Sequence, residues 1–326
     1  LTSEGKVVAI PDIDNDGEAE APIVLVEDLN NPHGLALRCN DESDRTKPCR
    51  LYVAETEAVN LYEYDPAELR ATFVKKIADL PPANTRGKRA LLLNPSGEEL
   101  FVGIGSSCAF CVELDRRYAS VQSLDLTTGI LSTYATGLYN TIFMATHPLT
   151  GKIWATEMAP GGPADEDSPP DEINIIKEGN NYGWPFCYGA NMAVTHFDLK
   201  ESVMAEPCAE LTKTPSMIDL PVHSGPLGIT FIPSEGWPEK YSNDLLVAYH
   251  GPSTSALGDG HRIVRIEMDP EGTPTGAVEP FMTGFSDSNG RVVGRPVALL
   301  VRPDGTLFVS DDFSGRIYRV AWRGKR

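Results

Sequence analysis

A short acidic segment near the start of the chain has the residue types and spacing of a metal-binding loop. Carboxylates recur along residues 12–20 at Asp12, Asp14, Asp16, Glu18 and Glu20. Alternate carboxylates can surround a hard cation such as calcium, and Gly17 permits the sharp turn that such a loop needs. No helical pattern flanks the segment and its twelfth position is Ile23, so it is not an EF-hand. We predict a calcium site here, because crowded carboxylates repel without a cation; the alternative is a solvated acidic hairpin.

A second group of polar residues stands at the entries and ends of short apolar segments. Histidine can move a proton, and arginine can hold a carboxylate. The candidates for catalysis are His33, His223, His250 and Arg86. The candidates for ligand binding are Arg89, Tyr139, Asn140, Glu157 and Arg295, with Asp311 and Asp312 at the end of a further segment. Each of them alone is better explained as a structural residue. A functional interpretation depends on the fold bringing several of them together.

The elements that position these residues are repeated β-strands. Residues 295–320 are typical of three short strands separated by two turns, the first of which is Pro303-Asp304-Gly305. Weaker copies of this pattern start near residues 34, 89, 141 and 228. Small meanders repeated every 50 to 85 residues or so predict an all-β protein of the β-propeller type. In a propeller, the entries to the inner strands gather at one mouth of the central channel, which would collect the polar candidates.

The repeats predict a single β-propeller domain over residues 1–326, six-bladed, with the first blade incomplete in this chain. Five copies are complete, and the hairpin at residues 6–26 resembles the outer half of another blade. Either the chain is trimmed at its N-terminus or the hairpin completes the C-terminal blade. Helical periodicity is nearly absent, and residues 66–76 are the best helix candidate.

The overall charge restricts the partners. The formal net charge is −18 and the isoelectric point is about 4.7, which argues against nucleic acid or an anionic membrane as a partner. No apolar run approaches the roughly 18 residues of a membrane-spanning helix. The chain begins Leu1-Thr2-Ser3 without a signal peptide, so export would require that a leader has been removed.

The six cysteines indicate the compartment. They fall into three local pairs, Cys39 with Cys49, Cys108 with Cys111, and Cys187 with Cys208. Three loop disulfides would suit a periplasmic or secreted protein, although sequence alone leaves the connectivity open. A zinc site would need a second CxxC or a close histidine pair, and a thioredoxin-like pair would need a βαβ pattern after Cys111. We therefore expect disulfides, with pairing by sequence proximity as the hypothesis.

Several phrases of the chain resemble the glucose/sorbosone dehydrogenase family. They are Asn-Pro-His-Gly-Leu-Ala-Leu at 31–37, Val-Gly-Ile-Gly-Ser-Ser-Cys at 102–108, Pro-Asp-Glu-Ile-Asn at 170–174, Glu-Gly-Asn-Asn-Tyr-Gly-Trp-Pro at 178–185 and Gly-Arg-Pro-Val at 294–297. The resemblance implies a six-bladed propeller that oxidises sugars with pyrroloquinoline quinone and calcium. It places Glu157 and residues 158–160 at the quinone's calcium, and Arg89, Asn140 and Arg295 at the quinone's carboxylates.

The chain departs from this family at two positions. Active members carry a catalytic histidine just before the strand that Arg89 begins, but residues 85–88 here are Thr-Arg-Gly-Lys. They also carry an Arg-Asn pair where this chain has Tyr139-Asn140.

The resemblance as a whole implies an exported sugar dehydrogenase that acts on a sugar-like small molecule. Because there is no haem-attachment CxxCH motif, it would use a separate electron acceptor. The alternatives are a propeller without redox activity that binds a ligand or a protein, and a calcium-dependent lactonase-like hydrolase.

Overall fold

The structure is a computed structural model that describes residues 2–14, 16–39, 47–83, 86–160, 169–194, 208, 213–252 and 260–324. The chain divides into two compact units, Leu1–Tyr134 and Ala135–Arg326. Both units consist of antiparallel β-sheets. In the described ranges no helix is long and apolar enough to cross a membrane.

The first unit contains a small N-terminal sheet and two four-stranded meanders. The N-terminal sheet is formed by β1 (Thr2–Ser3), β2 (Lys6–Ala9) and β3 (Ile23–Val26). The first meander consists of β4 (Leu35–Arg38), β5 (Cys49–Ala54), β6 (Ala58–Asp65) and β7 (Arg70–Asp79). The second consists of β8 (Arg89–Leu93), β9 (Glu99–Ile104), β10 (Ser120–Asp125) and β11 (Leu131–Thr136), and the boundary of the unit falls within β11.

The second unit contains three further meanders. The first consists of β12 (Thr141–Thr146), β13 (Ile153–Glu157), β14 (Asp171–Ile176) and β17 (Ile218–Leu220), with the hairpin β15 (Cys187–Tyr188) and β16 (Met192–Ala193) inserted. The next consists of β18 (Pro226–Phe231), β19 (Leu245–Tyr249), β20 (Arg262–Met268) and β21 (Pro274–Met282). The last consists of β22 (Pro296–Val301), β23 (Leu307–Asp311) and β24 (Arg316–Val320).

The first strands of successive meanders lie against one another, as in the blades of a propeller. In the first unit β4 contacts β8, and in the second unit β12 contacts β18, which in turn contacts β22. The approach is so close that a Cβ atom at Gly34 would come within 2.5 Å of the Arg89 carbonyl, and one at Gly228 within 2.5 Å of the Val297 carbonyl. Glycine is therefore required where the inner strands meet. The prediction of an all-β propeller arrangement is confirmed.

The second strand of each meander provides most of the core. All five residues of β13 and of β19 are buried, because these strands are covered on both faces. A large cluster in the second unit joins Trp154, Ile173, Val247 and Val264, and a cluster in the first unit joins Tyr52, Leu100 and Leu124. Burying such side chains contributes about 1.5–3 kcal/mol each. Glu157, at the end of β13, is therefore part of a fully buried strand.

Two predictions differ from the structure. Residues 66–76 form no helix: residues 66–69 are a turn, and Arg70–Asp79 is the fourth strand of its meander. Its largely exposed side chains lack a core-facing pattern, which made the strand hard to recognise. The described residues also form five meanders and the N-terminal sheet, not six blades. The six-blade count and the single domain over residues 1–326 stay predictions.

Candidate functional site

The candidate site of the second unit is built around two carboxylates on neighbouring strands. Glu157 ends β13 and lies directly opposite Glu172 in β14. Directly opposed residues of an antiparallel pair share one face of the sheet, with Cβ atoms about 4.5–5.5 Å apart. Each glutamate is only 7% exposed. The strand register thus places two acidic side chains side by side in a nearly water-free environment.

Both carboxylates are held by hydrogen bonds. One oxygen of Glu157 accepts the Tyr139 amide, and the other accepts the Thr141 hydroxyl at 3.1 Å. The Oε1 atom of Glu172 accepts the Gly189 amide at 2.6 Å, and its Oε2 atom accepts the Asn174 side-chain amide at 3.0 Å. All four oxygens have a donor, so the orientation of the pair is fixed by the protein.

Burial raises the pKa of both glutamates. For Glu157 burial is the largest cause and the charge of Glu172 adds to it, while the hydrogen bonds oppose the shift; the net pKa lies well above its usual value. The pKa of Glu172 is also raised, chiefly by burial, and its hydrogen bonds from Gly189 and Asn174 again oppose the shift. Two buried carboxylates that repel each other either keep a proton or attract a cation.

Asp171, next to Glu172, connects this pair to a second group of residues. Its Oδ1 atom accepts the Ala159 amide at 2.8 Å, and its Oδ2 atom accepts the Ser224 hydroxyl at 3.0 Å and the Gly225 amide at 2.8 Å. Burial raises the pKa of Asp171, and these hydrogen bonds oppose the shift. The loop after β13 and the loop before β18 are therefore tied to one buried carboxylate.

Aromatic rings and the acidic pair line one pocket. The pocket region contains about 320 Å³ of space between protein atoms, a figure that includes open solvent. Besides Glu157 and Glu172, its lining comprises Gly137, Tyr139, Ala159, Pro160, Pro169, Pro170, Tyr182, Trp184, Cys187 and Tyr188. Tyr139 and Trp184 contact each other, with ring centroids 4.4 Å apart. Flat aromatic faces beside hydrogen-bonding carboxylates suit a polyhydroxylated ligand, which offers C–H faces and hydroxyl edges.

The second unit also brings together three of the predicted residues, His223, His250 and Arg295. The His250 Nε2 atom lies 2.9 Å from a carboxylate oxygen of Asp312. The Arg295 guanidinium donates to the His250 carbonyl at 3.3 Å and to the Gly251 carbonyl. The segment after His223 is joined to the segment after β19, because the Gly225 carbonyl accepts the His250 amide and the Ser224 carbonyl accepts the Gly251 amide, both at 2.9 Å. His250 is thus an oriented imidazole with a carboxylate partner, an arrangement suited to accepting a proton.

Asp311 positions the backbone around this histidine. It is 2% exposed and accepts the backbone amides of Arg295, Phe313 and Ser314 at 2.9–3.0 Å and the Tyr318 hydroxyl at 3.2 Å. Burial alone would raise the pKa of Asp311, but these hydrogen bonds hold it below its usual value. Asp311 therefore stays ionised and fixes the turn that presents Asp312.

The remaining predicted residues, His33, Arg86 and Arg89, belong to the first unit. The His33 Nδ1 atom lies 3.2 Å from the Arg89 carbonyl, and burial, with the charge of Lys88, lowers the pKa of His33 to about 4. Arg86 donates to the Ser106 carbonyl at 3.4 Å. Arg89 is fully buried, and its Nε, Nη1 and Nη2 atoms donate to the carbonyls of Thr56, Arg86 and Pro81 at 2.8–2.9 Å. The contact of Arg89 with a quinone stays a prediction. Each of its three guanidinium nitrogens already donates to a protein carbonyl.

The acidic loop near the N-terminus is only partly assembled as predicted. Carboxylate oxygens of Asp12, Asp14 and Asp16 lie within 4.8 Å of one another. Glu20 instead binds the Ile13 amide through both oxygens, at 2.9 and 3.0 Å, and Glu18 is outside the cluster. Calcium binding at this loop stays a prediction, with three carboxylates as its ligands.

The predicted disulfides are confirmed, with the pairing expected from sequence proximity: Cys39–Cys49, Cys108–Cys111 and Cys187–Cys208. No free cysteine occurs in the described part of the chain. Because Cys187 lines the pocket, its disulfide also holds the wall of the candidate site.

Sequence reasoning missed several residues of the site. Asp171, Glu172 and Asn174 come from the Pro-Asp-Glu-Ile-Asn phrase, and Tyr182 and Trp184 from the phrase that ends in Tyr-Gly-Trp-Pro. Both phrases were recognised only as marks of a resemblance. The available signal was the adjacent pair Asp171-Glu172 in a strand that also contains three isoleucines, since buried acidic residues are rare without a role.

Comparison with known proteins agrees with this fold. Residues 7–323 match the family described as TrAA12-like, so the chain belongs to that family. An uncharacterized protein of Borreliella burgdorferi is 28% identical over 276 residues, which cover 83% of this chain and 70% of that protein.

Similar solved structures include two that are named as sugar dehydrogenases. A Trichoderma reesei member of carbohydrate-active enzymes family AA12 has a TM-score of 0.75 at 20% identity, covering 95% of this chain and 86% of that chain. The holo form of the pyranose dehydrogenase PQQ domain from Coprinopsis cinerea has a TM-score of 0.74 at 18% identity, covering 95% and 86%. The PQQ-bound aldose sugar dehydrogenase of Streptomyces coelicolor has a TM-score of 0.61 at 16% identity, covering 96% and 84%. The resemblance to glucose/sorbosone dehydrogenases is thus confirmed at the level of fold and family.

Proposed function

We propose that this protein is a sugar dehydrogenase of the quinoprotein class. Its sugar site would be the pocket of the second unit that Glu157, Glu172 and the aromatic rings line. The observation that carries the proposal is the pair Glu157–Glu172 facing a pocket walled by Tyr139 and Trp184. Carboxylates accept hydrogen bonds from sugar hydroxyls, and aromatic rings stack on sugar C–H faces. The names of two structural neighbours, a pyranose and an aldose sugar dehydrogenase, point to the same class of substrate.

The residues of the pocket fit a divalent cation better than they fit an anion. Pyrroloquinoline quinone carries carboxylates, and the described residues that line the pocket include two glutamates but no Lys, Arg or His. Two repelling carboxylates in a buried site favour calcium, for which oxygen ligands are the normal choice. We propose that Glu157 and Glu172 hold calcium, and that this calcium provides the positive charge that a carboxylated quinone requires.

Each residue then has a defined task. When bound, the quinone would supply the acceptor for the hydride of the sugar. His250 is oriented by Asp312 and lies outside the pocket lining. It would accept the hydroxyl proton at its imidazole from a sugar that extends out of the pocket, in place of the histidine that the sequence lacks before Arg89. His223 is the other candidate for this base in the second unit. Tyr139 and Trp184 would orient the sugar ring.

The proposed location is the periplasm or the outside of the cell, and the proposed electron acceptor is a separate molecule. Three disulfides support the location, because such bonds persist in oxidising compartments. The sequence supports a separate acceptor, since it contains no CxxCH motif that would attach a haem to this chain. A redox dye can therefore take the place of the natural acceptor in an assay.

The test is reconstitution of the full chain with pyrroloquinoline quinone and calcium, followed by dye reduction with a panel of aldoses. We expect a quinone absorbance change on binding and dye reduction that EDTA abolishes. The variants Glu157→Gln and His250→Asn should separate the two tasks, because the first should lose calcium-dependent quinone binding while the second should bind quinone but turn over slowly. Quinone binding without dye reduction by any aldose would refute the dehydrogenase.

A propeller without redox activity is the second candidate. It is favoured by the arginines, since Arg89 and Arg295 both donate to carbonyls of the protein itself. In that case the same pocket would bind a sugar, or hydrolyse a sugar lactone with calcium. Sugar binding without any quinone effect, together with acid release from an aldonolactone in a pH-stat, would support this alternative.

A further inference from the structure

The Cys108–Cys111 disulfide lies in a loop of the first unit, between β9 and β10, that the function proposed above does not use. Its Cys-x-x-Cys spacing is one in which reactive disulfides occur. Both cysteines are partly exposed, whereas each of the other two disulfides has one buried cysteine, Cys49 or Cys187. Because exchange begins with the attack of a thiolate on a disulfide sulfur, Cys108–Cys111 is the most accessible of the three disulfides for this reaction.

The disulfide contributes little to holding its loop. The sequence separation of its two cysteines is 3, against 10 for Cys39–Cys49 and 21 for Cys187–Cys208. A cross-link over so short a segment restricts the unfolded chain least, so it adds least to the free energy of unfolding. The loop is also held by Glu113, whose carboxylate accepts the Ser106 hydroxyl at 2.6 Å and both the amide and the hydroxyl of Ser107 at 2.7 Å. These hydrogen bonds do not depend on the disulfide, so they remain when it opens.

Glu113 places a proton acceptor beside the two sulfurs. One of its carboxylate oxygens and the Sγ atoms of Cys108 and Cys111 lie within 4.8 Å of one another. The Ser106 hydroxyl lies between them, with its Oγ atom 2.6 Å from the Glu113 carboxylate and 3.8 Å from the Cys108 Sγ atom. A hydroxyl both donates and accepts hydrogen bonds, so a proton can pass between the sulfur and the carboxylate through Ser106. This arrangement suits thiol chemistry, in which the thiolate is the reactive form.

Exposed apolar side chains adjoin the disulfide. Phe110 lies between the two cysteines in sequence and is exposed, Val112 is more exposed, and Leu114 is fully exposed. Neighbouring apolar side chains on a protein surface are typical of sites that bind another polypeptide. The reactive sulfurs and an apolar surface are thus next to each other, which fits a polypeptide whose thiols lie among apolar residues.

We propose that Cys108–Cys111 is a redox-active disulfide that oxidises the dithiol of an extended, apolar polypeptide segment. The first substrate thiol gives its proton to Glu113, and its sulfur attacks one sulfur of the disulfide. The bond between Cys108 and Cys111 breaks, a mixed disulfide forms, and the released thiolate takes the proton. The second substrate thiol gives up its proton in the same way and attacks the substrate sulfur of the mixed disulfide, which releases the second cysteine.

The reaction balances without any further reagent. The polypeptide loses two electrons and two protons and gains a disulfide, and the same electrons and protons convert Cys108 and Cys111 to two thiols. The reverse reaction, with the disulfide of another protein as oxidant, restores the starting state. Neither the pocket nor a quinone takes part, so the exchange can be tested whether or not the sugar dehydrogenase proposal holds.

The experiment follows the reduction of each disulfide in the folded full chain at pH 7. The probe is an excess of a synthetic peptide with two cysteines flanked by leucines, and a matched peptide has serines in place of the leucines. Samples are quenched with acid, their thiols are alkylated, and each cysteine is quantified by peptide mass spectrometry. We expect the leucine peptide to reduce Cys108–Cys111 roughly tenfold faster than it reduces Cys39–Cys49 or Cys187–Cys208, and severalfold faster than the serine peptide does.

Two variants distinguish an exchange centre from a disulfide that is merely exposed. Glu113→Gln keeps the size of the side chain but cannot accept a proton. The rate at pH 7 should therefore fall about tenfold, and the difference should disappear near about pH 9.5, where most of the peptide thiol is already ionised. Leu114→Ser should slow reduction by the leucine peptide severalfold, whereas Leu149→Ser, which changes an exposed leucine elsewhere, should not.

The outcomes that would overturn the proposal are distinct. Equal rates for the three disulfides, or for the two peptides, would leave no selectivity to explain. An unchanged rate in Glu113→Gln at pH 7 would remove the proton acceptor. A rate in Glu113→Gln that stays low near about pH 9.5 would show that Glu113 only holds the loop. Equal effects of Leu114→Ser and Leu149→Ser would remove the apolar docking surface.

Discussion

Glu157 and Glu172 face each other across the β13–β14 ladder, both 7% exposed, in a pocket that also contains Trp184. An acidic pair in this position is costly to the fold when it carries two charges, because neither burial nor the repulsion between the groups is compensated by a cationic side chain in the lining. A bound cation, as proposed above, would remove this cost by neutralising the two carboxylates.

The first prediction concerns pH and stability. The folded pKa values of Glu157 and Glu172 are raised, so above pH 4.5 this pair binds more protons in the folded chain than in the unfolded chain. The stability that this pair contributes is therefore greatest at low pH and is lost as pH rises through the folded pKa values. Each tenfold increase in proton affinity on folding contributes about 1.4 kcal/mol to the free energy of unfolding. In EDTA, Glu157→Gln should flatten the decline measured by urea unfolding between pH 5 and about pH 8. The exposed control Glu63→Gln should leave the slope unchanged, and an unchanged slope in Glu157→Gln would contradict the prediction.

The second prediction links calcium to the same proton. If calcium replaces the proton of the Glu157–Glu172 pair, its apparent affinity should rise with pH, by up to about tenfold per pH unit for each proton released. The measurement is calorimetric titration at several pH values in buffers of different ionisation enthalpy, using the Asp14→Ala chain to silence the N-terminal loop. Calcium affinity that does not vary with pH would place the ion elsewhere.

The third prediction tests the N-terminal loop. Calcium should raise the melting temperature of the wild-type chain, and Asp14→Ala should remove part of that increase, because Asp12, Asp14 and Asp16 provide the clustered oxygens. The comparison is repeated in a Glu157→Gln background, so that calcium binding by Glu157 and Glu172 does not contribute to the melting temperature. Glu98→Ala removes an exposed carboxylate outside the loop and serves as the control. The loop would be a solvated hairpin if Asp14→Ala and Glu98→Ala responded to calcium alike.

The fourth prediction concerns the buried arginine. Arg89→Met should destabilise the chain by about 3 kcal/mol or more, since three carbonyls lose a charged donor at a fully buried site. Arg86→Met should cost less than about 1 kcal/mol, because Arg86 is only half-buried and its hydrogen bond to the Ser106 carbonyl is long. Urea unfolding measures both. Normal stability of Arg89→Met with loss of ligand binding would instead restore its predicted role at a cofactor.

The fifth prediction concerns the aromatic wall. Trp184→Leu should weaken sugar binding by about 1–2 kcal/mol, because the ring that packs on Tyr139 would be lost from the pocket. Trp322→Leu is the matched control: Trp322 is 46% exposed and lies outside the pocket lining. Calorimetric titration with aldoses gives the affinities. Equal affinities for the two variants would place the sugar site elsewhere.

The sequence was informative wherever a strand had a core-facing pattern. The start of each of the five meanders was predicted within two residues, because apolar strand patterns and Gly- or Pro-containing turns are local signals. The fourth strands were missed, and β7 was wrongly predicted as a helix. These outer strands are largely exposed, so their sequences carry little periodicity, and their identity depends on pairing with the strand before them.

The same distinction between local signals and tertiary contacts applies to the candidate site. Sequence alone determined the all-β repeat, the acidic balance, the cysteine pairs by proximity and the residues at strand entries, because all of these are properties of short stretches of chain. Only the tertiary structure decided that Glu157 opposes Glu172, that Asp312 orients His250, and that Arg89 is bound to carbonyls of its own unit. These facts depend on register and packing between segments far apart in sequence, and a one-residue shift in register would turn each side chain to the opposite face of its sheet.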